Sequence, residues 1–92
     1  MAETQYDYRI YREWLFTPGG SKLLSAVRDT AESMLAESGA IKGHALLKKF
    51  ELKFEPETIR AAVDYLEEIQ FLRRVYGSSD FHTGQRVYVK GA

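Results

Sequence analysis

The chain has 92 residues, of which 45% are hydrophobic and 28% are charged, and it contains no cysteine. This length supports one domain with one core, and the lack of cysteine excludes a disulfide scaffold, a thiolate zinc site and a cysteine nucleophile. Thirteen basic and thirteen acidic side chains cancel, which is unlike a strongly basic nucleic-acid binder or a polybasic membrane module. The apolar runs are too short to cross a bilayer and the opening residues are too polar for a signal peptide, so we expect a cytoplasmic protein.

An aromatic-rich segment occupies residues 4–16. Two periods compete in it. Residues 6–10 alternate apolar and polar side chains as a strand does, whereas Tyr8, Tyr11 and Leu15 have helical spacing. We predict a short helix or a mixed arm.

The next segment predicts a break and then a long helix. Residues 17–20, Thr-Pro-Gly-Gly, indicate the break, because proline fixes φ and two glycines loosen the backbone. Ser21 is the expected N-cap of a helix that runs to about residue 37, and Ser38-Gly39 is expected to end it. The predicted apolar stripe of this helix consists of Leu24, Val27, Ala31, Met34 and Leu35.

Two more helices are predicted in the middle of the chain. Residues 40–42 indicate a stub strand, and a helix follows over about 43–51. Pro56 suits the first turn of a third helix, over about 56–70, because its missing N–H has no partner there. This helix has the strongest periodic signal in the chain, carried by Ile59, Ala62, Val63, Leu66 and Ile69.

The last part of the chain predicts a β-hairpin. Residues 71–76 and 85–89 both alternate apolar and polar side chains, which is typical of half-buried strands. The glycine- and serine-rich segment between them predicts the connecting loop. The two strands are therefore expected to pair antiparallel.

The order helix, stub strand, helix, turn, helix, hairpin resembles the winged helix–turn–helix family of bacterial and phage regulators. The residues that carry the resemblance are His44-Ala45-Leu46-Leu47-Lys48-Lys49-Phe50, Pro56-Glu57-Thr58-Ile59-Arg60, Tyr65-Leu66-Glu67-Glu68, Leu72-Arg73-Arg74-Val75 and Arg86-Val87-Tyr88-Val89. In that family, Thr-Ile-Arg begins the recognition helix and Leu-Glu-Glu leads from it toward the wing. The resemblance covers about residues 21–90. Gln70 stands where many members of the family have glycine.

The resemblance implies an α+β winged helix: a three-helix core with a C-terminal hairpin wing, preceded by an added aromatic arm. We expect the arm at residues 1–20 and the domain at 21–92. In the family the recognition helix docks in the major groove, so its outward side chains become the candidates for contact with base edges. Those candidates are Thr58, Arg60 and Ala61, of which Arg60 alone can hold guanine bidentately.

Charge is distributed unevenly along the chain. Residues 41–54 carry four lysines against one glutamate, residues 55–68 one arginine against five acids, and residues 69–92 four basic side chains against one aspartate. The basic side chains of the two flanking stretches are expected to bind phosphates: Lys48, Lys49, Lys53, Arg73, Arg74 and Arg86. The alternative is solubilising charge on outward positions. The carboxylates of the acidic third helix oppose contact with DNA, since phosphate repels them. Such a helix is equally typical of a solvated helix face.

No catalytic or metal-binding arrangement is apparent. The two histidines lie far apart in sequence, and we expect no metal ion and no cofactor. No nucleophile–base–acid set and no phosphate-binding glycine loop is present, so the protein is not expected to be an enzyme. Phe81 and His82 occupy the expected wing tip, where they either contact a partner or fold back on the hairpin.

The aromatic arm has two interpretations. In the first, Tyr11, Trp14 and Leu15 cover the outer face of the first long helix and enlarge the core. In the second, the arm, with Tyr8, Tyr11, Trp14 and Phe16 as its packing residues, forms the seam of a homodimer together with the second face of that helix. A dimer suits a family in which two domains read a near-palindrome.

Two functions remain open at this point. The first is a small DNA-binding protein, a transcriptional or mobile-element regulator that binds double-stranded DNA and forms a homodimer. The alternative is a winged helix that acts as a protein–protein interaction module in a larger assembly without touching DNA.

Overall fold

A computed structural model describes residues 6–75 and 86–91 of the chain. Within these residues the protein is a small α+β structure with four helices and one three-stranded antiparallel sheet. The elements in chain order are α1 (Tyr8–Trp14), α2 (Pro18–Ser38), β1 (Ile41–Lys42), α3 (Gly43–Lys48), α4 (Pro56–Glu68), β2 (Leu72–Arg74) and β3 (Val87–Lys90). In the described part of the chain no helix is long and apolar enough to span a membrane.

Helix α2 begins four residues earlier than the sequence predicts. The N-cap is Thr17, not Ser21: the Thr17 Oγ1 atom accepts a hydrogen bond from the Gly20 amide at 3.2 Å, and Pro18 occupies the first turn. The expected break at residues 17–20 is therefore a helix start. The Ser21 hydroxyl instead donates to the carbonyl of Leu15 at 3.2 Å.

The expected end of α2 is confirmed. Gly39 adopts the left-handed conformation with φ 77°, and its amide donates to the Leu35 carbonyl at 2.8 Å. The stub strand β1 is also confirmed. Helix α3 stops at Lys48 instead of about residue 51, and residues 49–54 form turns.

Helix α4 begins at Pro56 as predicted and ends with a Schellman motif. The Phe71 amide donates to the Leu66 carbonyl at 2.9 Å, and the Gln70 amide donates to the Glu67 carbonyl at 3.0 Å. Gln70, at the position after the C-cap, has φ 66° and is the only described non-glycine residue with positive φ. Glycine is usual at this position because it adopts left-handed φ values without strain.

The sheet has the strand order β1-β3-β2, with both pairings antiparallel. Strands β2 and β3 pair antiparallel as predicted, with Arg74 opposite Tyr88, although both strands are shorter than expected. The predicted connecting loop lies outside the described residues. Strand β1 pairs with β3 on its other side, with Ile41 opposite Tyr88. Such a sheet, packed beside three helices, is compatible with a winged-helix-like fold.

One hydrophobic core joins α2, α3, α4 and the sheet. Its fully buried large side chains are Leu15, Leu23, Val27, Ile41, Leu46, Ile59, Val63, Leu66, Leu72 and Tyr88. The predicted stripe of α4 is buried from Ile59 to Leu66, but Ile69 lies beyond the helix and is exposed. On α2, Leu23 is buried although it is not part of the predicted stripe. Three members of that stripe, Leu24, Met34 and Leu35, are only half-buried.

The N-terminal arm, defined here as residues 6–16, contains the predicted short helix. Asp7 caps α1 by accepting a hydrogen bond from the Arg9 amide at 3.1 Å. No residue of α1 is buried, although Leu15 just after it lies fully in the core. Helix α1 packs mainly against α4. The expectation that the arm covers the outer face of α2 is therefore wrong for α1, while Leu15 does enlarge the core.

Candidate nucleic-acid interface

The outer face of α4 is the surface on which the expected function depends. Four charged side chains point away from the core there at helical spacing, namely Arg60, Asp64, Glu67 and Glu68. Each one contacts a side chain from the arm or from the root of the hairpin. This face is therefore partly covered, with Glu68 at its exposed edge.

Asp64 lies at the centre of the covered face. Its Oδ2 atom accepts a hydrogen bond from the Tyr6 hydroxyl at 2.7 Å, and its Oδ1 atom lies 3.6 Å from Nη1 of Arg86. Burial raises the pKa of this carboxyl above its usual value, although the Tyr6 hydrogen bond and the Arg86 charge lower it. Asp64 thus joins the arm to the root of β3.

Glu68 holds the arm at a second point. Its Oε1 atom accepts from Nε of Arg12 at 3.0 Å and its Oε2 atom from Nη2 at 2.9 Å, so that the pair is bidentate. The Tyr8 hydroxyl also donates to Oε1. These hydrogen bonds, with that of Arg12 contributing most, lower the pKa of the Glu68 carboxyl.

Glu67 completes the set by pairing with Arg74 on β2, at 3.2 Å between Oε2 and Nη2. All three carboxylates of this face therefore have basic partners within the molecule. Two of the six expected phosphate-binding side chains, Arg74 and Arg86, are engaged in this way. The interpretation of α4 as a solvated acidic face therefore fails for Asp64 and Glu67, which are half-buried and paired, whereas Glu68 is paired but exposed.

The expected base-edge residues have different environments. The Arg60 guanidinium lies over the ring of Tyr6, 4.1 Å from its centroid. Thr58 is buried, and its hydroxyl donates to the Glu55 carbonyl at 2.7 Å. Ala61 is fully buried. The expectation that Thr58 and Ala61 lie off the apolar stripe is therefore wrong, and only Arg60 lies near the surface.

The other expected phosphate-binding residues remain open to solvent. Lys48 and Lys49 at the end of α3, Lys53 in the following turn and Arg73 on β2 are all exposed. None of the four forms an ion pair with any residue in the described ranges. We refer to Lys48, Lys49 and Lys53 as the lysine surface. Leu52, between them, is 97% exposed.

Aromatic side chains of the arm pack on one another and on α4. Tyr6 stacks on Tyr11 with centroids 5.9 Å apart, and Phe16 meets Tyr65 edge-on at 5.6 Å. The Arg12 guanidinium lies 5.4 Å from the ring centroids of both Phe16 and Tyr65. Phe16 nevertheless remains 57% exposed. The use of the arm as a dimer seam stays a prediction.

Sequence reasoning did not identify Tyr6 and Arg12 as site residues. Tyr6 belongs to the aromatic-rich segment, but nothing in its spacing indicates that it covers Arg60. Arg12 and its partner Glu68 are 56 positions apart, so no local pattern links them. The expected wing-tip residues Phe81 and His82 lie outside the described residues. Among the described residues no group of three or more acidic or histidine side chains is placed to hold a metal ion.

In comparisons with protein-family models, with curated proteins and with solved structures, nothing matches this chain. The resemblance to winged-helix regulators therefore stays an expectation. The order of the elements and the three-stranded sheet are compatible with it.

Proposed function

We propose that the protein is a small winged-helix DNA-binding protein, a transcriptional or mobile-element regulator, that holds the backbone of duplex DNA with its lysine surface. One observation carries the proposal: Lys48, Lys49 and Lys53 are exposed and lack carboxylate partners among the described residues, whereas three carboxylates of α4, those of Asp64, Glu67 and Glu68, are paired within the molecule. Positive charge is thus left available on one side of the domain.

Internal pairing also reduces the main electrostatic objection to DNA binding. A net charge of zero and an acidic α4 both oppose an approach to phosphate. Asp64, Glu67 and Glu68 are each matched by a cation, so the fields of the two opposite charges in each pair largely cancel at a distance. The lysine surface keeps a net positive charge, because its three lysines have only Glu51 among them.

The proposal assigns separate tasks to separate residues. The three lysines and Arg73 are expected to contact phosphates without regard to sequence. Arg60 is the one expected base-edge residue that is not in the core, so sequence preference would depend on it. Two copies bound to adjacent half-sites would raise an affinity that one small domain cannot provide.

Fluorescence anisotropy with a pool of random-sequence duplexes tests the proposal. Lys49→Gln should weaken binding at low salt by several-fold, because one phosphate contact is lost. Lys22→Gln is the matched control, since Lys22 is an exposed lysine on α2 outside the lysine surface. Equal loss in both variants would reduce the effect to net charge, and no binding by the unaltered protein would refute the proposal.

A protein–protein interaction module is the second candidate, and Leu52 favours it. Leu52 is almost fully exposed in the turn after α3, and contact with a partner protein would remove its apolar side chain from water. Under this alternative, duplex binding is absent and Leu52→Ser abolishes association with the partner, whereas Lys49→Gln leaves the association intact. The anisotropy titration therefore separates the two functions.

A further inference from the structure

The N-terminal arm is attached to the molecule differently at its two ends. At its C-terminal end Leu15 is fully buried, and the Thr17 hydroxyl donates to the Trp14 carbonyl at 2.7 Å. At its N-terminal end α1 has no buried residue and is held by polar groups of Tyr6, Tyr8 and Arg12. The end near Leu15 is thus anchored, and the end near Tyr6 is held by contacts that water can replace.

The N-terminal end of the arm has little stability of its own. Helix α1 has seven residues, and a helix this short does not persist in water without tertiary contacts. The Arg12–Glu68 pair that holds it is well exposed, with side-chain accessibilities of 38% and 42%. Exposed ion pairs of this kind are weak and are screened by salt.

The arm lies over the residue that would read DNA. The Tyr6 ring covers the Arg60 guanidinium, so that Arg60 faces an aromatic ring in place of solvent. If the arm moves away, Arg60 is uncovered while Asp64 keeps Arg86 and Glu67 keeps Arg74. Opening also takes Arg12 away from Glu68, so repulsion between Glu68 and phosphate is part of the cost of opening.

We propose that residues 6–12 form a displaceable cover over α4, which duplex DNA has to move before Arg60 can reach a base. This inference rests on the proposed DNA-binding function and adds its regulation. Phosphates near α4 compete with Glu68 for Arg12, so the ligand itself favours the open arm. The fraction of molecules with an open arm limits the apparent affinity.

A double variant tests the cover without altering the charge of the protein. Tyr6→Ser with Tyr8→Ser removes the two phenolic hydroxyls that donate hydrogen bonds to α4. It also removes the Tyr6 ring that lies over Arg60. If the arm is open in about a tenth of the molecules, this double variant should bind a duplex selected from the random pool for tight binding up to about tenfold more tightly, because only the base contact of Arg60 needs the open arm. Ile10→Ser is the matched control, because Ile10 lies on the same helix but is 66% exposed. Emission of Trp14, the chain's single tryptophan, reports whether the arm has moved.

A cross-link tests the state in which the arm is held closed on α4. The chain has no cysteine, so Tyr8→Cys with Glu68→Cys introduces a unique pair that a short bismaleimide can join. The joined form should bind duplexes about tenfold more weakly than the same protein before cross-linking. Tyr8→Cys alone, capped with a monofunctional maleimide, controls for the added reagent.

The outcomes separate this inference from the proposed function. Binding that depends on Lys49 but is equal in the joined and unjoined forms overturns the cover and leaves the DNA-binding proposal standing. An unchanged affinity of the double serine variant, with Trp14 emission showing that the arm has moved, also overturns the cover. No binding by any form overturns both.

Discussion

At the scale of single residues, Gln70 has a backbone conformation that is unfavourable for a residue with a side chain. A non-glycine residue in the left-handed region costs about 1–2 kcal/mol. The Schellman motif after α4 fixes that conformation through the amides of Gln70 and Phe71. The side chain of Gln70 is exposed and contributes little in return. The helix end is therefore formed at the expense of local strain.

Gln70→Gly should stabilise the protein by about 0.5–1 kcal/mol, since glycine adopts φ 66° without strain but loses more entropy on folding. For a domain of this size a gain of 1 kcal/mol raises Tm by about 4–8 °C. Thermal unfolding followed by circular dichroism measures the change. Gln70→Ala is the control, because it removes the side chain and keeps the strain; equal stability of the two variants would contradict this explanation.

Two adjacent glycines in α2 differ sharply in the space around them. A Cβ atom on Gly20 would lie 2.5 Å from Cα of Leu15 and still closer to the Trp14 carbonyl oxygen, and these backbone atoms cannot move independently. A Cβ atom on Gly19 would meet the Trp14 ring at 3.7 Å, an ordinary contact. Gly20 thus allows the turn after α1 to pack against the start of α2.

Gly20→Ala should destabilise the protein by about 1–3 kcal/mol, the usual cost of overpacking. Gly19→Ala should be neutral or slightly stabilising, because alanine is the better helix former and has room. Urea unfolding of the two variants under the same conditions gives the comparison. A similar loss in both would show that the turn after α1 does not pack tightly on α2.

At the scale of elements, the docking of α1 on α4 depends on pH through Glu68. Its pKa in the folded protein lies below the ordinary value of 4.5, because Arg12 and Tyr8 bind the carboxylate. A depressed pKa contributes stability that is fully present above about pH 4.5 and is lost as the pH falls through the folded value. Asp64 acts in the opposite sense, since burial raises its pKa and protonation favours the folded state.

We therefore expect the arm to undock before the core unfolds as the pH is lowered from about 6 to about 3. Trp14 emission follows the arm, and far-ultraviolet circular dichroism follows the helices. Glu68→Gln should remove the acid-dependent part of the Trp14 change, because the variant has no carboxylate to protonate. A Trp14 transition of the same midpoint and size in the variant would mean that Glu68 does not hold the arm.

The elements also show what a sequence can and cannot reveal. The stripe of α4 from Ile59 to Leu66, the stop at Gly39 and the start at Pro56 were predictable, because periodicity and capping are local properties. The predicted start of α2 is wrong, because Pro-Gly-Gly indicates a loop unless Thr17 is recognised as the N-cap of a helix.

Burial on α2 was harder to predict, because Leu23 and Leu24 are both apolar and only packing decides which of them enters the core. The covered face of α4 is less visible still. Tyr6, Arg12 and Glu68 meet only after the chain folds, and their separation in sequence hides the contact.

At the scale of the whole molecule, charge is sorted despite a net value of zero. Three acidic side chains of α4 are paired with basic side chains of the arm and of strands β2 and β3, whereas the lysine surface is exposed to solvent. This distribution of charge is the basis of the proposed DNA binding. It also reduces the expected number of phosphate contacts from six to four per domain, because Arg74 and Arg86 are already engaged with carboxylates.

The most direct test is the salt dependence of duplex binding by the unaltered protein, measured by fluorescence anisotropy with random-sequence DNA. Four phosphate contacts predict a slope of log K against log[salt] of about −4, and replacing all three lysines of the lysine surface with glutamine predicts about −1. A steep slope that flattens in this way would support the account. No binding even at low salt, or a slope that the triple variant leaves unchanged, would contradict it.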